Sequence, residues 1–399
     1  MHVLVIPSWY PNEPGDIGGS FFREQAQALV RAGCKVGVIY PQLRSLRQWR
    51  TVQSDRYSGI TIDDDEGVPT FRSFGTSWFP RAPKLQAAQW VWHGLRLYAD
   101  YVEKYGRPDV IHAHSLLYAG CLARELGESH ACPYVVTEHS SAFVRGRIGG
   151  QQRTLARAAA RQAQGRFAVS AQFCGFLDNY FGAEASGWMP MPNIVQKDFL
   201  NAPLVVKDRV SGFVFLHISL LDTNKSVDNL IRAFADAFGN NAEVTLRIGG
   251  NGPERSRLEA LAVELGVSHQ VQFLNALSRA EVLKHMRRCD AFVLSSKHET
   301  FGVVLIEAMA AGKPVIATRC GGPESVVREQ DGLLVPVNDV ASLAVAMRRM
   351  QRDYRCYDPA EIRASCVARF SEQAVTARLV AEYEAVCGSK SHATANGSK

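Results

Sequence analysis

The chain has 399 residues, of which 46% are hydrophobic and 21% charged, and this size and composition favour two folded globular domains over a single core or a disordered chain. No window reaches the roughly 20 apolar residues of a membrane span, and residues 1–7 lack the basic region of a signal peptide. The nine cysteines are scattered without a Cys-x-x-Cys pair, which argues against a disulfide framework or a zinc site and suggests a reducing cytosol.

Short apolar runs alternate with helical patterns in the first half of the chain. This alternation predicts βαβ units and a parallel sheet. The predicted helices include Ser20–Arg31 and residues 116–126. The predicted strands are residues 2–6, 35–39, 109–113, 134–137 and 166–169.

The same rhythm restarts, more regularly, in the second half. Its predicted strands are residues 213–218, 243–248, 271–274, 291–294, 315–317 and 333–335. Its predicted helices are residues 226–238, 254–265, 279–288, 302–311 and 340–350. A stretch of proline and polar residues at 191–208 separates the two halves.

We therefore predict an α/β protein of two Rossmann-like, doubly wound domains that face each other across a cleft. The first domain spans 1–195 and the second 208–365. A C-terminal helix at 366–387 is expected to pack back towards the first domain, and the tail 388–399 to be disordered. Ligands of such sheets bind at the carboxyl ends of the strands, where we look for the chemistry.

The segment 295–317 is predicted to form a strand end, a loop, a helix and a further strand. Thr300 is predicted to cap the helix. The N–H groups of Phe301, Gly302 and Val303 would then bind an anion, favoured by the helix dipole. Gly302 has no side chain, so a phosphate can approach its backbone closely.

Two acidic residues flank this anion site. Glu307 lies among apolar residues of the helix, where a carboxylate is costly unless it is paired, and a ribose diol would match its two oxygens. Glu299 lies in the loop ahead of the helix, and we expect the two acids on the order of 10 Å apart. That separation suits the ribose and the sugar at the two ends of a diphosphate, whereas the simpler interpretation is a capping acid and a solvated acid.

Glu299 and Glu307 form a Glu-x7-Glu motif, followed by Ala-Met-Ala-Ala-Gly-Lys-Pro-Val-Ile-Ala-Thr and by Gly321-Gly322-Pro-Glu-Ser. These residues resemble the family-4 retaining glycosyltransferases, which have the two-domain GT-B fold. The resemblance implies that Glu299 contacts the transferred sugar and that Glu307 contacts the ribose. It also implies that no metal and no cofactor is bound, because helix dipoles and basic side chains stabilise the departing nucleotide diphosphate.

The resemblance extends to further candidate residues of the donor site. Lys225 matches the lysine of the family's diphosphate clamp, but Leu220 stands where an arginine is expected. His139 corresponds to a histidine near the transferred sugar, so the catalytic candidates are His139, Glu299 and Lys225. The donor-binding candidates are Gly18, Gly19, Ser20, Lys225, Asn251, Gly252, Glu299, Phe301, Gly302, Val303 and Glu307.

Weaker signals surround these candidates. His114 is placed similarly to His139, and a hydrogen-bonded structural histidine is the alternative for both. Gly18-Gly19 is read either as a loop that faces the diphosphate or as a plain turn. Glu324 also matches a family position beside the donor.

The net charge of +6 is unevenly distributed. Residues 67–99 and 139–177 contain no acid but several arginines and lysines. Arg153, Arg157 and Arg161 share one helix face, and Trp78, Phe79, Trp90 and Trp92 accompany the other run. We expect contact with an anionic membrane surface or a lipid-linked acceptor, with ordinary solvated and core faces as the alternative. Nucleic acid is not expected, because no DNA- or RNA-binding motif accompanies the charge.

The predicted function is retaining transfer of a sugar from a nucleotide diphosphate donor, UDP favoured over GDP, to a hydroxyl of a glycan or lipid-linked acceptor. Cell-surface polysaccharide assembly is the setting that the resemblance implies. The cysteines favour the cytoplasm, and the basic runs favour a peripheral position at the inner face of the membrane. Two alternatives stay open: a GT-B nucleotide-sugar epimerase or hydrolase, and a non-catalytic nucleotide-sugar-binding module.

Overall fold

A computed structural model describes residues 1–12, 16, 18–45, 59–205, 212–239 and 241–395. The chain forms two compact units, Met1–Ile194 with Val375–Lys399, and Val195–Ala374. The division thus falls within the stretch 191–208 that sequence reasoning assigns to the join, of which residues 206–208 lie outside the described part.

The first unit is an α/β layer structure with eight strands among its described residues. The strands are β1 (His2–Pro7), β2 (Lys35–Ser45), β3 (Gly59–Asp64), β4 (Pro69–Ser77), β5 (Val110–His114), β6 (Tyr134–Glu138), β7 (Gly165–Ala168) and β8 (Met189–Pro190). The helices between them are α1 (Ser20–Arg31), α2 (Pro83–Tyr105), α3 (Cys121–His130), α4 (Gly150–Gln162) and α5 (Ala171–Phe181). The sheet order is β3-β4-β2-β1-β5-β6-β7-β8, and β3 alone of these strands pairs antiparallel.

The second unit contains a parallel sheet that is covered by helices. After α6 (Lys197–Asn201), its strands are β9 (Phe213–Ile218), β10 (Val244–Gly249), β11 (Val271–Phe273), β12 (Ala291–Leu294), β13 (Val315–Thr318) and β14 (Gly332–Val335). Its further helices are α7 (Val227–Phe238), α8 (Arg255–Glu264), α9 (Arg279–Arg288), α10 (Val303–Ala310), α11 (Pro323–Val326), α12 (Val340–Asp353) and α13 (Pro359–Phe370). Within the described residues the order is β11-β10-β9-β12-β13-β14, and every pair is parallel.

The strands of the second unit match the prediction closely, most clearly the central strands that are buried on both faces. Every residue of β12 and β13 is buried, so these strands are continuous apolar runs in the sequence. In the first unit, β3 and β4 are strands that the sequence analysis did not predict. β3 is exposed along most of its length, and an exposed edge strand carries little hydrophobic signal.

The prediction of one helix over residues 116–126 is wrong. Residues 116–120 form a distorted turn, and α3 begins only at Cys121. Ser115, which precedes the turn, and Tyr118 within it have positive φ angles of 75° and 68°. Tertiary hydrogen bonds hold this shape: the Ser8 hydroxyl donates to the Leu117 carbonyl at 2.6 Å, and Glu138 Oε2 accepts from the Leu116 N–H at 2.8 Å. Such contacts override local helix propensity.

The C-terminal segment also differs from the prediction. The helix expected at 366–387 is two helices, α13 and α14 (Glu372–Ala395), because Ser371 is extended and its hydroxyl accepts from the Ala374 N–H. The backbone of α14 continues to Ala395, into the tail for which disorder is predicted; 396–399 lie outside the described residues, and the disorder of the tail stays a prediction. Tyr383 of α14 is buried in the first unit, where its hydroxyl bonds His112 at 2.6 Å.

Candidate functional site

The loops after β9 and β12 meet at the carboxyl edge of the second sheet. From β9 the chain first builds the sheet in one direction, through β10 and β11, and then returns to place β12 on the other side of β9. This topological switch point is where open α/β sheets bind ligands. Backbone and side-chain bonds join the two loops: Asn224 Nδ2 donates to the His298 carbonyl at 3.0 Å, and the Ser295 hydroxyl to the Lys225 carbonyl at 2.8 Å.

Lys225 and Glu299, 74 positions apart in the chain, form an ion pair at this point. Lys225 Nζ lies 2.7 Å from Glu299 Oε2, and the two side chains are 22% and 19% exposed. Burial by itself would lower the pKa of Lys225, but the charge and hydrogen bond of Glu299 outweigh it, and the pKa is raised. The ammonium therefore stays charged at neutral pH, next to a carboxylate and within reach of solvent.

The start of α10 differs from its predicted form. Thr300 does not cap the helix, because Gly302, with φ 94° and ψ 63°, is the residue that precedes the first helical position, Val303. Val303 and Val304, the first two residues of the helix, are half-buried, and N–H groups at a helix start have no carbonyl partner one turn earlier. The next N–H group, that of Leu305, bonds the Gly302 carbonyl at 2.9 Å. Phe301 is buried and packs edge-on against Phe370, so its role is to anchor the loop. The left-handed backbone at residue 302 explains the glycine there.

Glu307 is buried inside α10, with 1% of its side chain exposed. Its Oε1 accepts a short charged hydrogen bond from Arg279 Nη2, whereas its Oε2 has no partner among the described residues. Burial raises the pKa of the Glu307 carboxyl, and Arg279 opposes that shift. An unsatisfied buried carboxylate oxygen costs about 1–3 kcal/mol or more, so it marks a place for a ligand hydroxyl.

The remaining candidates of this unit lie after the strand ends, Asn251 and Leu220 in loops and Glu324 in the short helix α11. Asn251 follows β10, where its carbonyl accepts from the Leu221 N–H and its side chain holds the Gly252 N–H at 2.8 Å. Leu220 is 62% exposed, so an apolar side chain occupies the place where the family has a cation. Glu324 is folded onto its own turn and accepts from the Gly321 N–H.

In the first unit the structure brings His139, His114 and the start of α1 together. His114 Nδ1 lies 3.1 Å from His139 Nε2, and the ring of Phe22 packs 4.8 Å from that of His139. Gly19 precedes α1 with a φ of 79°, and a Cβ there would lie 2.9 Å from the Trp9 carbonyl oxygen, so glycine is required. Ser20 is the first residue of α1, and Gly18 has open space around it.

Both histidines are neutral at physiological pH. Burial lowers the pKa of His139 to about 3 and that of His114 well below its usual value. His114 Nε2 is buried without a hydrogen-bond partner among the described residues. Glu138, fully buried at the end of β6, binds the N–H groups of His139 and Ser140 through Oε1 at 2.9 and 2.8 Å. It thereby fixes the backbone that carries His139.

The arginines of α4 are partly engaged within the first unit. Arg153 donates to the Tyr180 carbonyl at 2.7 Å and lies over the Tyr180 ring, Arg157 is half-buried, and Arg161 is exposed. Trp90 is buried, so the expectation that it contributes to a surface is wrong. Trp78 and Trp92 are 62% and 54% exposed.

The sequence analysis did not identify two residues of these sites, Arg279 and Glu138. Arg279 opens α9, 28 positions before its partner Glu307, and nothing in the local pattern connects them. Glu138 ends a buried strand, where a lone acid among apolar residues could have indicated a structural carboxylate. Among the described residues no group of three or more His, Cys, Asp or Glu side chains is arranged to hold a metal, and no helix has the length and apolarity of a membrane span.

Two family models match the chain, one in each half. Residues 206–367 match the model of glycosyl transferases group 1, and residues 18–193 match a glycosyl transferase 4-like domain. Among curated proteins, the chain is 30% identical over 364 residues to a glycogen synthase of Mycobacterium tuberculosis, covering 88% of this chain and 86% of that protein. It is 34% identical over 190 residues to the lipopolysaccharide core biosynthesis glycosyltransferase LpsD of Rhizobium meliloti, covering 47% and 52%.

Solved structures share the fold. Anabaena HepE in complex with UDP superposes with a TM-score of 0.71 at 20% identity, covering 96% of this chain and all of that one. Agreement at this low identity concerns the fold. The two parallel-sheet α/β units are those of GT-B glycosyltransferases, as the Glu-x7-Glu resemblance predicts.

Proposed function

The chain belongs to the group 1 glycosyl transferases of the GT-B type, and from that premise we propose that it moves a sugar from a nucleotide diphosphate sugar to a hydroxyl of a glycan or lipid-linked acceptor. Relatives that act in polysaccharide and lipopolysaccharide synthesis support a role in cell-surface polysaccharide assembly. We place the protein in the cytoplasm, on the side where such donors are made.

Glu307 is the observation that carries the donor assignment. A carboxylate with 1% exposure is held by Arg279 through one oxygen, while the other has no partner. A vicinal ribose diol supplies the hydroxyl donors that this oxygen lacks. Since Glu307 follows the first turn of α10, a diphosphate attached to that ribose would extend onto a helix N-terminus.

The remaining residues of the switch point fit the sugar end of such a donor. Lys225 offers a cation to the diphosphate, and Glu299 offers a carboxylate to the hydroxyls of the transferred sugar. We assign Gly302 and Val303 to the phosphates, Phe301 to anchoring their loop, and Asn251 and Gly252 to the edge of the same site. In the first unit we assign His139 to the transferred sugar and Gly18, Gly19 and Ser20 to the diphosphate.

We propose a front-face reaction with retention at the anomeric carbon. The bond between the anomeric carbon and the phosphate oxygen breaks, and the acceptor oxygen bonds to the same face of that carbon. The acceptor proton passes to the departing phosphate, which leaves as nucleotide diphosphate. Neutral His139 and the Lys225–Glu299 pair position the reactants rather than form a covalent intermediate. A trapped glycosyl-enzyme would contradict this mechanism.

We propose that the positive charge for the leaving group comes from Lys225 and the start of α10, with no resident metal or other cofactor. Full activity in excess chelator is the expected result, and loss of activity that Mg²⁺ or Mn²⁺ restores would contradict it. For the base we favour UDP over GDP, supported by the UDP in the similar HepE structure. Nucleotide release measured with a panel of UDP-, GDP- and ADP-sugars decides this point.

Glu307→Ala is the direct test of the donor site. We expect it to abolish transfer, because it removes the only carboxylate that we assign to the ribose. Unchanged transfer would defeat the assignment. Two other functions are distinguished in the same assay. An epimerase or hydrolase would convert the donor without an acceptor, and a binding module would retain the donor and release no nucleotide.

An exposed surface at the start of α2 favours a second property, contact with an anionic membrane. Trp78, Phe79, Leu85 and Trp92 are 62%, 42%, 53% and 54% exposed. Gln89 lies on the same helix face as Leu85 and Trp92, and its side chain binds the Trp78 N–H and the Thr76 carbonyl. We call Trp78, Phe79, Leu85 and Trp92 the apolar patch. The exposed cations Arg81, Lys84 and Arg96 border it, and no acid occurs from residue 67 to 99.

An apolar patch with a basic border is suited to a surface of anionic lipid. We expect binding to vesicles that contain anionic lipid at low salt, and a clear loss in a variant with Trp78→Ser and Trp92→Ser. Arg161→Gln on α4 serves to compare the two basic faces. If neither wild-type protein nor variant sediments with such vesicles, the membrane proposal fails, whereas the donor assignment is unaffected.

A further inference from the structure

Arg279 is the residue whose contacts the donor assignment leaves unexplained. It is the first residue of α9, a helix that Ser278 and Glu281 cap, so its backbone position is fixed. Its Nη2 bonds both Glu307 Oε1 and Gln196 Oε1, the latter at 2.7 Å, and its Nε bonds the same Gln196 oxygen at 3.0 Å. The guanidinium also lies 5.0 Å from the centre of the Phe199 ring.

These contacts give the guanidinium a single defined orientation. Gln196 precedes α6, Phe199 is fully buried in it, and Glu307 belongs to α10, so two distant parts of the chain hold one side chain. Arg279 keeps 29% of its side chain exposed, whereas Glu307 keeps 1%. The arginine therefore lies at the border between the buried carboxylate and solvent.

We propose that Arg279 is a positioning residue that keeps Glu307 ionised and directs its Oε2 at the ribose diol. This inference rests on the proposed function, because it assumes that Glu307 binds ribose. Arg279 occupies Oε1, which leaves Oε2 as the acceptor for ligand hydroxyls. Without the guanidinium, a carboxyl at this depth would take up a proton, and its orientation would no longer be fixed.

The test is binding of UDP and of 2′-deoxy-UDP to the full chain by calorimetry, from pH 6 to pH 9. The wild-type protein should prefer UDP by about tenfold, the value of one good hydrogen bond to a charged group. In Arg279→Met this preference should largely disappear. UDP binding should also become dependent on pH, strengthening as the pH rises and Glu307 loses its proton. Arg279→Lys should restore part of the preference.

Two controls separate the outcomes. Arg288→Met removes an exposed arginine of the same helix and should leave both affinities unchanged. The double variant with Arg279→Met and Glu307→Gln removes both charges of the pair, so it remains testable if Arg279→Met does not fold. It should bind both nucleotides equally, with no dependence on pH. If this variant still prefers UDP, the ribose assignment is wrong, and the role of Arg279 with it.

The proposed function and the inference fail in different ways. If wild-type protein binds none of UDP, GDP and ADP, or if Glu307→Gln leaves the preference for the 2′-hydroxyl intact, the ribose assignment fails, and the role of Arg279 with it. If Glu307→Gln removes the preference but Arg279→Met retains it at every pH, the ribose assignment stands and Arg279 has only a structural role.

Discussion

Replacing Lys225 by methionine should separate catalysis from stability. Methionine keeps the length of the side chain and removes its charge, so the Lys225–Glu299 pair is lost and the Glu299 carboxylate then faces the donor diphosphate unneutralised. Because both side chains keep about a fifth of their surface exposed, the pair contributes only about 0–1 kcal/mol to folding. For a unit of this size that change shifts the Tm by roughly 2–4 °C at most.

The expected effect on transfer is much larger. A preorganised cation at a leaving group is comparable to an oxyanion-hole donor, whose removal costs about 10²–10³ in kcat, or roughly 3–4 kcal/mol. Steady-state nucleotide release with the preferred donor measures this loss, and urea unfolding measures stability. Lys284→Met, at an exposed lysine of α9, is the matched control and should change neither.

The partner variant Glu299→Gln and the double variant complete a mutant cycle. Since the two groups act as one unit, we expect the double variant to lose less activity than the sum of the single losses. If Lys225→Met retains kcat/KM within about twofold, the leaving-group assignment fails. A loss of activity matched by general unfolding would give Lys225 a structural role instead.

Three further changes test the framework of the sites. Gly302→Ala should destabilise the second unit by about 1–3 kcal/mol, because a side chain strains the backbone at a φ of 94°; an unchanged urea midpoint would contradict this. Glu138→Gln should cost about 2–3 kcal/mol in thermal unfolding and reduce activity, because an amide nitrogen replaces one of the oxygens that accept from backbone N–H groups; wild-type stability would refute it. Stability should also fall as the pH drops below 6.5: unfolded imidazoles bind protons there, whereas folded His112 and His139 do so only at about 3. Urea midpoints from pH 7 to pH 4.5 measure this slope, which His112→Gln should make shallower.

The sequence by itself predicted the architecture of the second unit. Its central strands β12 and β13 are buried on both faces, so each is a short apolar run between helical patterns. Most predicted bounds of the unit agree with the observed ones within one or two residues. The exposed strand β3 and the turn at residues 116–120 could not be predicted in this way. The strand β3 depends on its pairing with β4. The turn depends on hydrogen bonds from Ser8 and to Glu138, which belong to other segments of the chain.

In the candidate site, too, some features follow from local sequence and others only from the fold. The spacing of Glu299 and Glu307 is a local property, and it indicated both the chemistry and the family. The partners of these acids are not local. Lys225 reaches Glu299 because β9 and β12 are neighbours at the switch point of the sheet, and Arg279 reaches Glu307 because α9 packs beside α10.

Local sequence thus determined which segments form strands and helices and which acids are candidates for binding a ligand. Hydrophobic periodicity and residue spacing are properties of short segments, so they can be read without the fold. Tertiary structure alone decided which cation pairs with each of these acids. A buried carboxylate is neutralised by whatever cation the packing of distant helices brings to it. The pairing of Glu307 with Arg279, which leaves one oxygen without a partner, is therefore a property of the fold.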